Sequence, residues 1–428
     1  MVTVSSTLVN VSDEAEVRLV ALLAGAAPPN LLSPTFQDDC QKSIDAGEAG
    51  PLLNTILKDA GAVASLLSIE SADEATAAFS LVAALLERAG TPLHDVINVI
   101  VSAEQVPNKQ ERKISLLSVL YNMRSDVGDK VLLLQKMLEL AGSCPNSAEL
   151  LAPEDTLGRI LSDPVQNSLS AYVSSDTVAR GSPVAYQPRL VGMLDEWNVP
   201  QNDSRRRDLY KTVASVLPPT DVRRQRFLLL FVESYGAQEN VSNDIVIELA
   251  KDAVIGAIRD PVSLFVHQRS MMSLPAVQAV GSKYRVLLGL LRVFQEGKLS
   301  DYNAFVQSNG GSEEAVLSPW GLDVQACKRN IRILSLCSLA SEHEEIPYKV
   351  VAETLQLPSD GEVESWVIAA VSSGLLQAKM DQLECKVMVE RSVVRKFDMD
   401  QWKALQGRLR LWRQNVGGVL ASLKESQL

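Results

Sequence analysis

Apolar residues recur at spacings of three and four through most of the first two-thirds of the chain, the period of helices with one covered face. Ser71-x-x-Glu74 is a capping-box pattern, in which each side chain satisfies an exposed backbone donor of the other, and it opens a helix over Ala75–Ala89 closed by Gly90. Thr91-Pro92 starts the next helix, with proline at its tolerated first position. Glu111–Met123, with Ile114, Leu117 and Tyr121 on one stripe, and Asp129–Ala141, with Val131, Leu134 and Leu138, continue the pattern. Short helices joined by brief turns predict stacked antiparallel pairs, an α-solenoid. Residues 142–188, rich in Pro and Ser, predict a connector or insertion, with Thr156–Leu161 as a candidate helix. Helices are expected again at Arg189–Trp197, Ser204–Leu217, Val222–Tyr235, Ile245–Ile258, Val262–Ser273, Ser282–Gln295 and Ser300–Ser308.

The pattern changes near residue 325. Cys327–Ala340 reads as a helix with Ile331, Leu334 and Cys337/Ser338 inward. Glu345-Ile346 is a short extended piece, and Pro347 opens a helix over Tyr348–Leu357. A second capping box, Ser359-x-x-Glu362, predicts a helix over Gly361–Ser372, with Val363, Trp366, Val367 and Ala370 as its core stripe and Gly374 at its C-cap. Two strand-like runs, Leu375–Met380 and Lys386–Val393, flank the polar turn Asp381–Glu384. Helix, strand, two helices and a hairpin is the order of a winged helix. Beyond it, Trp402, Leu405, Leu409, Trp412, Val416, Val419 and Leu423 alternate spacings of three and four, one seam of a helix, with Lys403, Arg408, Arg410 and Arg413 off it. Such a helix must pack on something, its own chain or another subunit; for Trp402 and Trp412 both remain open. The expected architecture is mostly α. Helical repeats over 1–141, the connector and further repeats over 189–325 precede a winged helix over 326–396 and a C-terminal bundle helix over 397–428.

Chemistry narrows this picture by what it lacks. The three histidines, His94, His267 and His343, are scattered, and His343-Glu344 fails as a zinc helix because Pro347 stands where the second ligand would be. No phosphate loop, dinucleotide fingerprint or nucleophile elbow occurs, so no catalytic, cofactor-binding or metal residue is named, and neither an enzyme nor a small-molecule substrate is expected. Five dispersed cysteines predict small apolar fillers in a reducing compartment. No apolar run is long enough to span a membrane, and Arg18, the first cation, comes too late for a secretory start. A cytoplasmic, membrane-free chain is expected.

The net charge of −11 is uneven: residues 1–110 hold 14 Asp and Glu against 5 Lys and Arg. Residues 327–396 hold 9 cations and 10 anions, and the helix that would enter a DNA groove carries no Lys or Arg. A nucleic-acid adaptor is therefore disfavoured, and the winged helix is expected to bind protein. Arg205–Arg207 and the Arg223, Arg224, Arg226 group could meet ribosomal RNA, but with no interleaved aromatics they read first as solvated helix faces.

Helical repeats, a winged helix and a terminal amphipathic helix together resemble the PCI-domain family. Its members are scaffold subunits of the proteasome lid, the COP9 signalosome and eukaryotic translation initiation factor three. Trp197-Asn-Val, Asp208-Leu-Tyr-Lys, the Ile255–Pro261 run followed by Phe265, Val363–Val371, Ala378–Gln382, Lys386–Val389, Gln401-Trp402 and Leu411–Asn415 are most similar to the initiation-factor members. The resemblance implies a non-catalytic scaffold that works with other PCI-type subunits and, through the complex, with the small ribosomal subunit in preinitiation-complex assembly. A signalosome or lid subunit is the alternative. It also implies partner contacts at the sheet edges and the seam: Glu345, Ile346, Leu375, Gln377, Lys379, Val387 and Val389, then Trp402, Leu405, Leu409, Trp412, Val416, Val419 and Leu423.

Overall fold

The computed structural model describes residues 13–26, 32–69, 71–102, 109–162, 188–219, 221–236, 241, 243–260, 270–395 and 399–425. The chain divides into two compact units, 1–227 and 228–428. Each is helical, and the second also holds a small sheet.

In the first unit the helices are α1 (Asp13–Ala26), α2 (Phe36–Asp45), α3 (Ala49–Lys58), α4 (Ala60–Ser68), α5 (Ala72–Ala89) and α6 (Leu93–Ser102). They continue with α7 (Lys109–Met123), α8 (Val127–Gly142), α9 (Ser147–Leu150), α10 (Thr156–Leu161), α11 (Arg189–Glu196) and α12 (Ser204–Val216). Packing runs α2 on α3, α3 on α5, α5 on α7, α7 on α8 and α8 on α12, the near-neighbour stacking of a helical-repeat array. Caps mark the boundaries. Ser71 Oγ accepts from Glu74 N at 3.4 Å, one half of the expected capping box, and α5 starts at Ala72 rather than Ala75; Gly90 ends it at φ +62°, as the sequence implies. Asp126 and Asp203 cap α8 and α12 in the same way. Gly142 lets α8 approach α12 closely, since a Cβ there would stand 2.7 Å from Val216 Cγ1.

The predicted α8 stripe is buried, but α7 turns differently. Lys113, Leu116, Leu117 and Leu120 are its covered residues, whereas Ile114 and Tyr121 are half-buried. Within 142–188, α9 and α10 are ordered helices, α10 with the bounds the sequence suggests, and 163–187 lies outside the described residues.

Helix α13 (Val222–Glu233) runs across the division at 227. The second unit continues with α14 (Asp244–Arg259), α15 (Pro275–Lys283), α16 (Arg285–Glu296), α17 (Leu299–Ser308) and α18 (Glu313–Leu317). The single helix expected over 282–295 is two, broken at Tyr284, whose φ −126° and ψ 58° are not helical. Of the helix expected over Val262–Ser273, only the 3₁₀ turn Met271–Ser273 falls within the described residues.

The winged helix has the predicted order: α19 (Val324–Glu342), β1 (Glu345–Pro347), α20 (Tyr348–Leu355), α21 (Val363–Ser372), β2 (Leu376–Asp381) and β3 (Lys386–Ser392). Ile331, Leu334 and Cys337 of α19 are fully buried. The second capping box does not form. Asp360–Glu362 makes a 3₁₀ turn, Glu362 takes the N-cap place, and Ser359 meets it only through the backbone, Glu362 N to Ser359 O at 3.3 Å. Val363, Val367 and Ala370 are core, but Trp366 is half-buried, with the Arg332 guanidinium 5.2 Å from its ring centre. Gly374 turns the chain into β2 at φ +75°.

Arg395, which no sequence pattern flagged, fastens this domain. Only 8% exposed, it donates to the Phe294 carbonyl at 2.7 Å at the end of α16. It also donates to Leu334 O at 3.1 Å and Ser338 Oγ at 2.9 Å on α19. Burial pulls its pKa down to about 10. The chain then ends in α22 (Met399–Glu425).

Candidate interaction surfaces

The sheet is antiparallel with order β1-β3-β2, so β3 is the middle strand and the hairpin has one outer edge, β2. Ile346 pairs with Val387, and both are buried, as is Leu375. Val389 is half-buried in the middle strand. These four lie within the sheet and its core. The residues an approaching strand would meet are Glu345 on β1 and Gln377 and Lys379 on β2, all exposed. Lys379 Nζ lies 2.6 Å from Glu390, and Lys386 Nζ 3.7 Å from Glu345. Salt bridges this exposed hold side chains loosely and leave the outward backbone of β2 available. A bulge at Gln377/Ala378 twists the start of that edge.

At the wing tip, Asp381 Oδ1 accepts from Leu383 N at 3.0 Å and Glu384 N at 3.1 Å, which fixes a tight turn. Leu383 projects from it, 97% exposed.

The seam of α22 is largely exposed. Trp402, Leu409, Trp412 and Val419 are each more than half exposed, and Leu405 and Val416 are 38% and 44% exposed. The side chain of Leu423 lies outside the described residues. Of the two readings left open for Trp402 and Trp412, burial in the chain's own core does not occur. Residues that share a stripe by periodicity therefore share an exposed face.

Arg206 turns inward, which corrects its reading as part of a solvated face, whereas Arg205 stays exposed and Arg207, Arg223, Arg224 and Arg226 are half-buried. Arg206 is 2% exposed and pairs with Asp195. Arg223 forks onto Asp221 and donates to Leu151 O at 2.7 Å, and Arg224 donates to Ala214 O at 2.9 Å. Arg205 pairs with Asp203 at 2.8 Å, and Arg207 and Arg226 are engaged as well. These guanidiniums bind carboxylates and helix-end carbonyls, a use that sequence spacing cannot reveal because the acceptors lie up to 72 residues away.

Four cysteines, Cys40, Cys144, Cys327 and Cys337, are buried free thiols, and Cys385 is exposed. His343 Nδ1 lies 3.2 Å from the Leu339 carbonyl. No described helix is long and apolar enough to cross a membrane.

Residues 306–391, which include the whole winged helix up to β3, match the family model of the PCI domain. The chain carries a PCI domain. Directly after it, residues 395–423 match the model described as eIF3 subunit M, C-terminal helix, so Arg395 and the exposed seam fall in that second match. The chain is 32% identical over 232 residues to the Eukaryotic translation initiation factor 3 subunit M of Phaeosphaeria nodorum, covering 53% of this chain and 50% of that one. It is 30% identical over 240 residues to the protein of the same name from Dictyostelium discoideum, covering 55% and 57%. With that of Nematostella vectensis it shares 26% identity over 360 residues, 79% of this chain and 90% of the other. The first two matches thus span about half the length of those relatives.

Proposed function

We propose that this chain is a non-catalytic scaffold subunit of a cytoplasmic translation initiation factor. Its PCI domain and C-terminal helix would join neighbouring PCI-type subunits, and the assembled complex would act on the small ribosomal subunit during preinitiation-complex assembly. The observation that carries the reading is a coincidence of position. The stretch matching the subunit M C-terminal helix is the one whose apolar seam is largely exposed among the described residues. A row of large apolar side chains facing water is unfavourable by ~1.5–3 kcal/mol for each one that burial would cover. A partner surface removes that cost. The β2 edge, with Gln377 and Lys379, and Glu345 on β1 are the second contact region, where backbone groups offer strand pairing. Because the Arg205–Arg207 and Arg223–Arg226 groups already hold partners within the chain, the reading rests on protein contacts rather than on these arginines.

The test is affinity purification of the tagged full-length chain from its own cells, with mass spectrometry and gradient sedimentation of the eluate. Initiation-factor subunits travelling with small ribosomal subunits are expected. Lid or signalosome subunits in their place would keep the PCI architecture and overturn the translation reading.

A further inference from the structure

The seam of α22 has flanks, and they carry one sign of charge. From Gln401 to Lys424 the helix contains five cations, Lys403, Arg408, Arg410, Arg413 and Lys424, and no Asp or Glu, in a chain of net charge −11. With Trp402, Leu409 and Val416 at a positions and Leu405, Trp412 and Val419 at d positions, Arg408 falls at g and Arg413 at e, on opposite sides of the seam. Arg410, at b, lies beside Arg413. All three arginines are exposed, in contrast to the arginines of the first unit that are spent on internal carboxylates and carbonyls.

The shape of the apolar face separates the kinds of partner. The a and d positions make a helix–helix seam, with exposed Leu411 at c and Leu420 at e lying off it. Arg408 and Arg413 still bound the seam on both sides, whereas a helix lying on a lipid surface presents an apolar half unbroken by such borders. Both tryptophans sit within the stripe among Leu and Val, so they are not set between arginines on one face as a base-stacking platform requires.

We infer that α22 docks on an acidic amphipathic helical surface of another protein, with Asp or Glu on both borders of the apolar stripe that covers the seam. This rests on the reading of α22 as an assembly surface and adds the chemistry of what covers it. Opposite charges at e and g positions select partner and orientation, while the apolar seam supplies most of the affinity.

Two variants of the tagged full-length chain separate the two levels: Leu409→Asp in the seam, and the triple change Arg408→Glu, Arg410→Glu, Arg413→Glu on its flanks. All four residues face solvent, so both variants should keep the wild-type melting temperature. The seam variant is expected to lose its co-purifying proteins. The triple variant is expected to recover roughly tenfold less of them, and raising salt to ~0.5 M should weaken the wild-type complex while changing the triple variant little. Partner loss in the seam variant with full recovery by the triple variant would overturn the acidic partner and leave the docking reading standing. Full recovery by both would remove α22 from assembly altogether. Capture abolished by nuclease, or binding of the purified chain to phosphatidylcholine–phosphatidylserine vesicles that the triple variant loses, would replace a protein partner with RNA or membrane and overturn the inference.

Discussion

Helices α19 and α22 carry apolar stripes of the same period within the same unit, yet one is sealed and the other largely exposed. Ile331, Leu334 and Cys337 have no exposed surface, while Trp412 and Val419 are 69% and 61% exposed. The difference lies in what the rest of the chain supplies. α19 receives α20, α21, β3 and α17 around it, and Ser335 Oγ even accepts the amide of Leu299 at 2.9 Å. α22 receives no comparable cover among the described residues. Periodicity tells which residues share a face, and tertiary structure decides whether that face belongs to the fold or to a partner.

The strongest way to break this contrast is a pair of truncations. Leu334→Ala should destabilise the free chain by about 3 kcal/mol, since it opens a cavity in a sealed core. Leu409→Ala should change it by less than about 0.5 kcal/mol. Urea unfolding of the two variants checks both; an equal cost would mean that α22 is packed in the free chain. Next in size, Arg395→Met should cost about 2 kcal/mol in the same assay, because carbonyls at the end of α16 and within α19 lose their donor in a buried place. Its neighbours in sequence on α22 should tolerate loss of charge. Smaller still, Gly417→Ala with Gly418→Ala should raise helix content in circular dichroism by favouring α22 itself, at about 1 kcal/mol per residue, with the unfolding midpoint of the rest unmoved. The mildest probe is a thiol. Burial pushes the Cys337 pKa up to about 12, so the folded state favours its neutral form. Stability contributed there is complete below the unfolded thiol's pKa and falls as pH rises toward 12. At pH ~8, Cys385 should react with a thiol reagent at once, whereas Cys337 should wait for unfolding.

Much of the winged helix was legible because each element carries local punctuation: Pro347 before α20, Gly374 after α21, a polar turn between two alternating runs. The α22 seam was legible as a seam, but its exposure was not. Helix α4 went unread for the opposite reason. Every residue from Gly61 to Leu67 is buried, so it has no polar face to set a period. Ser359-x-x-Glu362 misled because a 3₁₀ turn took up the position a capping serine would hold. The sheet residues named from resemblance divide for a topological reason: a hairpin looks like two edges in sequence, and β1, adding beside β3, turns one of them into the centre. Arg206, Arg223 and Arg395 were misread or missed since nothing local distinguishes an arginine that reaches a distant carbonyl from one that reaches water.

The seam tryptophans have an optical consequence. Trp402 and Trp412 stand mostly in water, while Trp197, Trp320 and Trp366 are half-buried against their own chain. Two of the five indoles, those of α22, would therefore pass from solvent into an apolar surround when the helix is covered. If α22 is covered as proposed, these two indoles make the unlabelled chain its own reporter, their emission moving from the red end of the tryptophan range toward the blue.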